Sequence, residues 1–374
     1  MITKCAGCGA SIQFTDKDKV GYINEEVYNK RLEEDKEILC ERCFKLKHYN
    51  YVEKVTISHQ GFLDLIKNNI TNNMLICYIV DMFDLTGSMI PNLNELFPHN
   101  EILVIGNKYD LFMRSNRPTK LKKYLADYLK DNNINVIGTI ITSGLDTLNA
   151  KKVYESILKI IDNDNLSKEV FFFGMSNSGK TTLLKSIGES IDNKNAEKLL
   201  VSKAISTTIG LNKIDLGDIV IVDSPGIVNE KQFTYYLNKK TIDLIMPKSV
   251  IKAKVFQLNE NQKIFVEGFC DFSLIKSEEN KTSVSFYVSS LLKLHRTKYF
   301  DNDDFLESHY HDLFKTPNKQ ERNKLGKRVK YTFNLNNDEM IAIAGLGFIE
   351  VNSNCVIELK TFETIGVEKR KKMI

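Results

Sequence analysis

Val170-Phe-Phe-Phe-Gly174-Met175-Ser176-Asn177-Ser178-Gly179-Lys180-Thr181-Thr182 joins an apolar strand to a G-x-x-x-x-G-K-[ST] string at the start of a helix. A run of bulky apolar residues suits a parallel strand covered by helices on both faces. The glycines at 174 and 179 let the backbone N–H groups between them curl around phosphate oxygens, and the helix start adds its partial positive charge. Lys180 is then placed to reach the β- and γ-phosphates, with the Thr181 hydroxyl on Mg²⁺ and Thr182 beside it.

Working outward, apolar strands alternate with amphipathic helices from about residue 60. Strands are predicted at Leu75–Val80, Ile102–Ile105, Asn135–Ile141, Val170–Phe173 and Ile219–Val222, and helices at Phe62–Lys67, Thr119–Lys130, Ala150–Ile161 and Lys180–Ile191. This alternation implies an α/β domain with a doubly wound parallel sheet.

Downstream, the strand Ile219–Val222 ends in Asp223-Ser224-Pro225-Gly226. Asp223 suits a direct or water-mediated Mg²⁺ ligand, and the Gly226 N–H suits a γ-phosphate contact. Between the two motifs lies Ser206-Thr207-Thr208-Ile209-Gly210. Thr208 is the first choice and Thr207 the second for a switch threonine closing on Mg²⁺. Upstream, Glu101-Ile-Leu-Val-Ile-Gly-Asn107-Lys108-Tyr109-Asp110 runs from a strand into N-K-x-D. The Asp110 carboxylate can accept from guanine N1–H and N2–H₂ together, a donor pair that adenine lacks, so mispairing leaves a buried charge unsatisfied. Thr142-Ser143-Gly144 follows the next strand and suits the loop supporting the base from its other side. Asn318-Lys-Gln-Glu321 imitates the base motif, but it ends in Glu and follows no strand.

The N-terminus carries two C-x₂-C pairs, Cys5/Cys8 and Cys40/Cys43. Two such knuckles complete a tetrahedral four-thiolate zinc site. The 31 residues between Cys8 and Cys40 exceed the usual spacing, so the polar stretch Val20–Lys36 is expected to loop out. Cys77, Cys270 and Cys355 lie in apolar runs and read as packing residues.

Base-reading loops thus come first, the phosphate loop second and the switches last, which is a circular permutation. In this order the chain resembles the YqeH family of circularly permuted GTPases along its whole length. The resemblance is carried by the cysteine pairs with Cys40-Glu-Arg-Cys43-Phe-Lys-Leu-Lys-His48-Tyr49-Asn50, by Val80-Asp81-Met-Phe-Asp84-Leu-Thr-Gly87-Ser88, and by the three nucleotide motifs. It implies GTP and GDP binding, assistance to small (30S) ribosomal subunit assembly, and contact with its 16S-type rRNA. It also implies a zinc module in front and an RNA-contacting domain behind. The family commonly has Pro-Gly before its switch threonines, where this chain has Ile205-Ser206. Val80–Ser88 is assigned no chemistry.

Ile227 stands where Ras-like GTPases carry a water-orienting Gln, so intrinsic hydrolysis is expected to be slow. The chain is similar here to hydrophobic-substituted GTPases, in which the residue matched by Asn177 helps to coordinate K⁺ near the β- and γ-phosphates. The catalytic set on this reading is Lys180, Thr208, Gly226 and Asn177.

With 374 residues, 42% hydrophobic and 27% charged, the composition is that of a folded multidomain protein. No apolar run approaches the roughly 20 residues of a membrane span. The N-terminus enters a cysteine motif without a targeting pattern, so a cytoplasmic location is expected. The net charge of +4 divides into +5 over 228–374 and −1 over the remainder, with the densest basic run at Lys315–Lys330. The expected organisation is a zinc module at 1–55, a GTPase domain at 56–230 and a β-rich α+β domain at 231–374. In that last part strands are predicted at Ala253–Leu258, Lys263–Glu267, Thr282–Val288, Met340–Ala344 and Phe348–Ile357. Phe286, Tyr287, Tyr299, Phe300, Tyr310 and Phe314 surround the basic run, a mixture that suits stacking on single-stranded RNA or, alternatively, a β core. No DNA or membrane partner is expected. Two other readings are an ATP-using P-loop enzyme and a zinc-containing RNA scaffold whose nucleotide site is structural.

Overall fold

Residues 5, 11–15, 21–34, 37–41, 44, 56–57, 61, 63, 66, 69–90, 92–113, 115, 117–191, 211–301, 303–310 and 312–373 are described by the computed structural model of the chain. With strands numbered in chain order from β1 (Thr56–Ile57), the central sheet holds six. These are β2 (Leu75–Asp81), β3 (Ile102–Asn107), β4 (Gly138–Ile141), β5 (Glu169–Gly174), β6 (Asn212–Asp215) and β7 (Val220–Asp223), arranged β4-β3-β2-β5-β7-β6. All pair in parallel except β6, which is antiparallel to β7. The sheet is therefore mixed, where a wholly parallel one was expected.

Side chains of successive strand residues point to opposite faces, and the core divides accordingly. Ile76, Tyr78, Val80, Phe171 and Phe173 pack on one face with Leu121, Leu125 and Leu129 of the helix Pro118–Asp131. Leu75, Cys77, Ile79, Val170 and Phe172 pack on the other with Ala150, Val153, Ile157 and Ile161 of the helix Thr147–Asp164, and with Leu183, Leu184 and Ile187 of the helix Lys180–Ser190. Asp146 starts the second of these helices by accepting from the Leu148 and Asn149 N–H groups at 2.9 and 3.2 Å. Of the predicted helix Phe62–Lys67, Leu63 and Ile66 are described, and both are helical.

Beyond residue 250 the chain builds two five-stranded antiparallel sheets. One has the order β13-β10-β11-β17-β14 and the other β18-β15-β16-β12-β9. Their members are β9 (Lys254–Leu258), β10 (Gln262–Val266), β11 (Cys270–Ser277), β12 (Thr282–Val288), β13 (Leu294–Lys298), β14 (Arg328–Leu335), β15 (Glu339–Ile343), β16 (Gly347–Val351), β17 (Cys355–Phe362) and β18 (Val367–Lys371). The predicted strand Phe348–Ile357 is two strands broken at 352–354.

The basic run behaves differently from its sequence. Lys315, Lys319, Lys324, Lys327 and Lys330 are exposed, whereas the Arg328 side chain, 7% exposed, is turned onto Asp271 at 2.5 Å. Phe286, Tyr310 and Phe314 are buried, and Tyr287 stacks on Phe348 with ring centroids 4.6 Å apart. Of the aromatics offered for base stacking, these four are packing residues.

At the N-terminus, the polar insertion forms an exposed helix, Glu25–Glu33, which buries no residue and is capped by Asn24. Cys5, Leu39 and Cys40 form a small buried cluster. Cys8, Cys43, Thr207 and Thr208 lie outside the described residues. No helix among the described residues is long and apolar enough to cross a membrane.

Candidate functional site

The parallel strands β3, β4, β5 and β7 all deliver a motif from their carboxyl ends: Asn107–Asp110, Thr142–Gly144, Gly174–Lys180 and Asp223–Gly226. Chain order reverses between neighbouring β2 and β5, and the crevice at such a point is where open α/β sheets bind ligands.

The phosphate loop leaves β5 under tight steric limits. A Cβ on Gly174 would stand 2.6 Å from the Ile79 carbonyl oxygen, and one on Gly179, at φ +86°, would stand 2.3 Å from Asn107 Nδ2. Asn177 also takes a positive φ of 70°, which turns the backbone between them. Ser176 N–H donates to the Ile227 carbonyl at 2.7 Å, fastening the loop to the segment after Gly226. The buried hydroxyls of Ser176, Ser178 and Thr142 have no protein partner. Buried polar atoms lining a concave backbone turn fit an anionic, oxygen-rich ligand. Thr181 and Thr182 are exposed at the helix start, and Met175 is buried.

Lys180 is 7% exposed, and its ammonium donates to the Asp223 carboxylate and, at 2.5 Å, to the Ser224 carbonyl. The side chains expected at phosphate and at Mg²⁺ therefore hold one another. Ser224 N–H donates to the Phe172 carbonyl at 3.0 Å, which sets DSPG against β5. Gly226–Ile227 forms β8, which pairs in parallel with β1, and Ile227 bridges Met175 on its other side. Pro225 and Gly226 are partly exposed, whereas the Ile227 side chain is fully buried in the core.

Asn107, 1% exposed, joins three loops. Its Nδ2 donates to the Ser178 carbonyl at 3.0 Å, and its Oδ1 accepts from the Gly144 N–H at 2.8 Å. Asp110 Oδ1 accepts from the Ser143 hydroxyl at 2.6 Å, which orients the carboxylate while its other oxygen stays available to a ligand. Lys108 adopts φ +66°.

Two supporting residues escaped the sequence reading. Ser186 Oγ donates to the Gly144 carbonyl at 2.6 Å from nearly two helical turns inside Lys180–Ser190. Asp81, at the end of β2, pairs with the Lys108 ammonium at 2.5 Å. A lone strand-end Asp gives no local signal of its partner. Its position in a segment shared with the family was the available hint.

Residues 169–266 match the family described as 50S ribosome-binding GTPase, and residues 281–373 match the YqeH-like, C-terminal family. The chain is 29% identical over 350 residues to the uncharacterized protein YqeH of Bacillus subtilis (strain 168), covering 93% of this chain and 92% of that one. It is 22% identical over 384 residues to a putative nitric oxide synthase of Oryza sativa subsp. japonica, covering 93% and 69%. Against the solved GDP-bound structure of TM YlqF the identity is 17% and the TM-score 0.30, covering 49% of this chain and 65% of that one. At that score the likeness carries no structural argument.

The geometry around Asp110 generates a specificity test. Asp110→Asn is expected to shift preference from guanine toward xanthine nucleotides, because an amide cannot accept from both guanine donors while xanthine offers an acceptor at that edge. The lost contact costs about 2–5 kcal/mol of GTP binding. Titration with GDP and XDP measures it; unchanged GDP affinity with no gain for XDP would refute the guanine assignment.

Proposed function

Because the chain carries a circularly permuted GTPase domain and a YqeH-like C-terminal domain, we propose that it is a GTP-hydrolysing switch that assists small ribosomal subunit assembly through rRNA contact. The observation that carries the nucleotide half is the Asn107 side chain. By holding Ser178 and Gly144 together it brings the base-reading Asp110 and the phosphate cradle to one crevice. An ATP-using enzyme has no use for an Asp110 poised in this way. The division into 1–55, 56–230 and 231–374 is retained as part of the same reading.

On this reading Lys180 would release Asp223 to reach the β- and γ-phosphates, and Asp223 and Thr181 would hold Mg²⁺, which would neutralise phosphate charge. The Gly226 N–H meets the γ-phosphate, and Thr208, or Thr207, closes over it. Nothing in the Ile227 side chain can orient water, since it is buried in the core, so the intrinsic rate is slow. Asn177 holds its loop in a left-handed turn, and its carbonyl oxygen would suit K⁺, which would supply positive charge at the transition state. For zinc, the support is that Cys40 N–H donates to Cys5 Sγ at 3.2 Å with both residues buried, which sets the thiol of one pair against the backbone of the other. For RNA, it is the exposed Lys315, Lys319, Lys324 and Lys327, a lysine face in place of an aromatic one.

Three outcomes follow. Protein loaded with a non-hydrolysable GTP analogue should crosslink in cells to small-subunit rRNA, and replacing those four lysines by Gln should flatten the salt dependence of RNA binding by roughly one unit of log–log slope per lost phosphate contact. Since the matched family is described by the 50S subunit, co-sedimentation with the large subunit alone would overturn the small-subunit assignment. Hydrolysis should rise at least tenfold in K⁺ over Na⁺ at equal ionic strength, about 1.4 kcal/mol of barrier, and Asn177→Ala should abolish the response while keeping GDP binding; equal rates in the two salts would place the activating charge elsewhere. Elemental analysis should find about one Zn²⁺ per chain, lost in Cys5→Ser; a metal-free protein with a folded N-terminal segment would sink the zinc module.

A further inference from the structure

The turn that leaves β2, Asp81–Ser88, takes no part in the nucleotide chemistry above, yet its side chains reach in two directions. Asp81 Oδ2 holds the Lys108 ammonium at 2.5 Å, and its Oδ1 accepts from the Phe83 N–H at 2.9 Å. Three residues on, the Asp84 carboxylate is buried and accepts from Gly87 N–H at 3.1 Å, from Gln232 Nε2 and from the Gly345 backbone. Burial and the neighbouring Asp81 charge push its pKa up from the ordinary carboxylate value, and these three donors oppose the shift.

Gln232 lies in the short segment that follows Gly226, and that segment is fastened on both sides. Asn229 Nδ2 donates to the Gly87 carbonyl at 2.8 Å. On the C-terminal side, Phe233 N–H donates to the Ala344 carbonyl at 3.2 Å, and Gly366 N–H donates to the Lys231 carbonyl at 2.8 Å. The joint is tightly filled. A Cβ on Gly345 would stand 2.8 Å from Gln232 Cγ, and one on Gly347 would stand 3.1 Å from Phe83 Cζ. The Thr86 hydroxyl extends the contact to Glu368 at 2.5 Å and to Arg370 at 3.1 Å, while Tyr128 donates to the other oxygen of Glu368 at 3.0 Å.

We propose that the Asp81–Ser88 turn is a positioning element that ties guanine-nucleotide binding at Lys108 to the seating of the C-terminal sheets on Gln232. Asp81 and Asp84 cannot move independently, because Ser88 Oγ bonds the Asp81 N–H at 2.9 Å and the Asp84 carbonyl at 2.8 Å. A displacement of Lys108 therefore either carries the turn with it or leaves a buried carboxylate without its partner, which is the costlier course. The same constraint acts at Gln232. Coupling of this kind is reciprocal, so loosening the C-terminal seat weakens nucleotide binding as surely as nucleotide tightens the seat.

The inference rests on the guanine reading of Asn107–Asp110, and the experiment separates the two. In the full-length chain, GDP should slow amide exchange at Phe233 and Gly366 at least threefold, and Gln232→Ala or Asp84→Asn should erase that slowing in protein that still unfolds cooperatively. Gln232→Ala should weaken GDP binding at least threefold in the native background and leave it unchanged in Lys108→Met. Lys108 and Gln232 hold different carboxylates, so uncoupled sites would show the same factor in both backgrounds. Asp110→Asn with undiminished GDP affinity would fail the base-site reading, whereas Lys108→Met with undiminished GDP affinity would fail the coupling. A Lys108→Met defect beside a silent or background-independent Gln232→Ala would fail the coupling alone, as would native protein in which GDP leaves both amides unchanged.

Discussion

One carboxamide holds the candidate site together. Asn107 gives its N–H to the phosphate loop and takes an N–H from the loop supporting the base, and no other side chain could do both from that place. A carboxylate has no donor for the Ser178 carbonyl, and a hydroxyl is too short to span the loops. Its own seat is fixed by Gly179, where any side chain would collide with Asn107 Nδ2. Because this linkage acts through space, it is indifferent to the order in which the chain supplies the loops. That indifference is what allows the permutation: the strands keep their neighbours in the sheet while the sequence enters at a different one.

Legibility in the sequence followed the range of the forces involved. The phosphate loop, the DSPG turn and β5 could be read because a continuous apolar strand, glycines with defined backbone roles and a helix start all lie within about a dozen residues. β6 could not, since Asn-Lys-Ile-Asp buries only Ile214 and owes its strand to pairing with β7 through the turn at Gly217. The central strand β11 was missed as well. β13, β14 and β18 were missed for a reason related to that of β6. Each is an outer strand whose charged residues face solvent or acidic neighbours, so the apolar alternation that marks a strand is diluted.

Arg328 shows the same limit for charge. In sequence it sits in a basic run that reads as a solvated face, yet it shares the buried Asp271 with Lys263, which is itself 3% exposed. Two cations on one carboxylate make a network that sequence spacing cannot reveal, because Asp271 is 57 residues away. Removing Asp271 would take from Lys263 its carboxylate partner and leave Arg328 the more distant Asp303 at 3.9 Å, so the cluster contributes more to holding β10, β11 and β14 in one arrangement than to net stability. The lysines left exposed around it are then the part of the run most open to a polyanion.

Permutation has a mechanical consequence as well. In this chain the segment after Gly226 leads directly into the C-terminal sheets, with Lys231, Gln232 and Phe233 already bonded across the boundary. Chain this short has little slack. A shift of Gly226 toward a γ-phosphate must be taken up either by the β1–β8 pairing on its N-terminal flank or by the seat of Gln232 and Phe233 on the other. The first is a two-residue ladder, and the second a filled joint with a buried carboxylate. The stiffer of two supports transmits displacement and the softer absorbs it, so on the proposed reading the arrangement would direct a switch motion toward the C-terminal sheets and let the N-terminal strand give way.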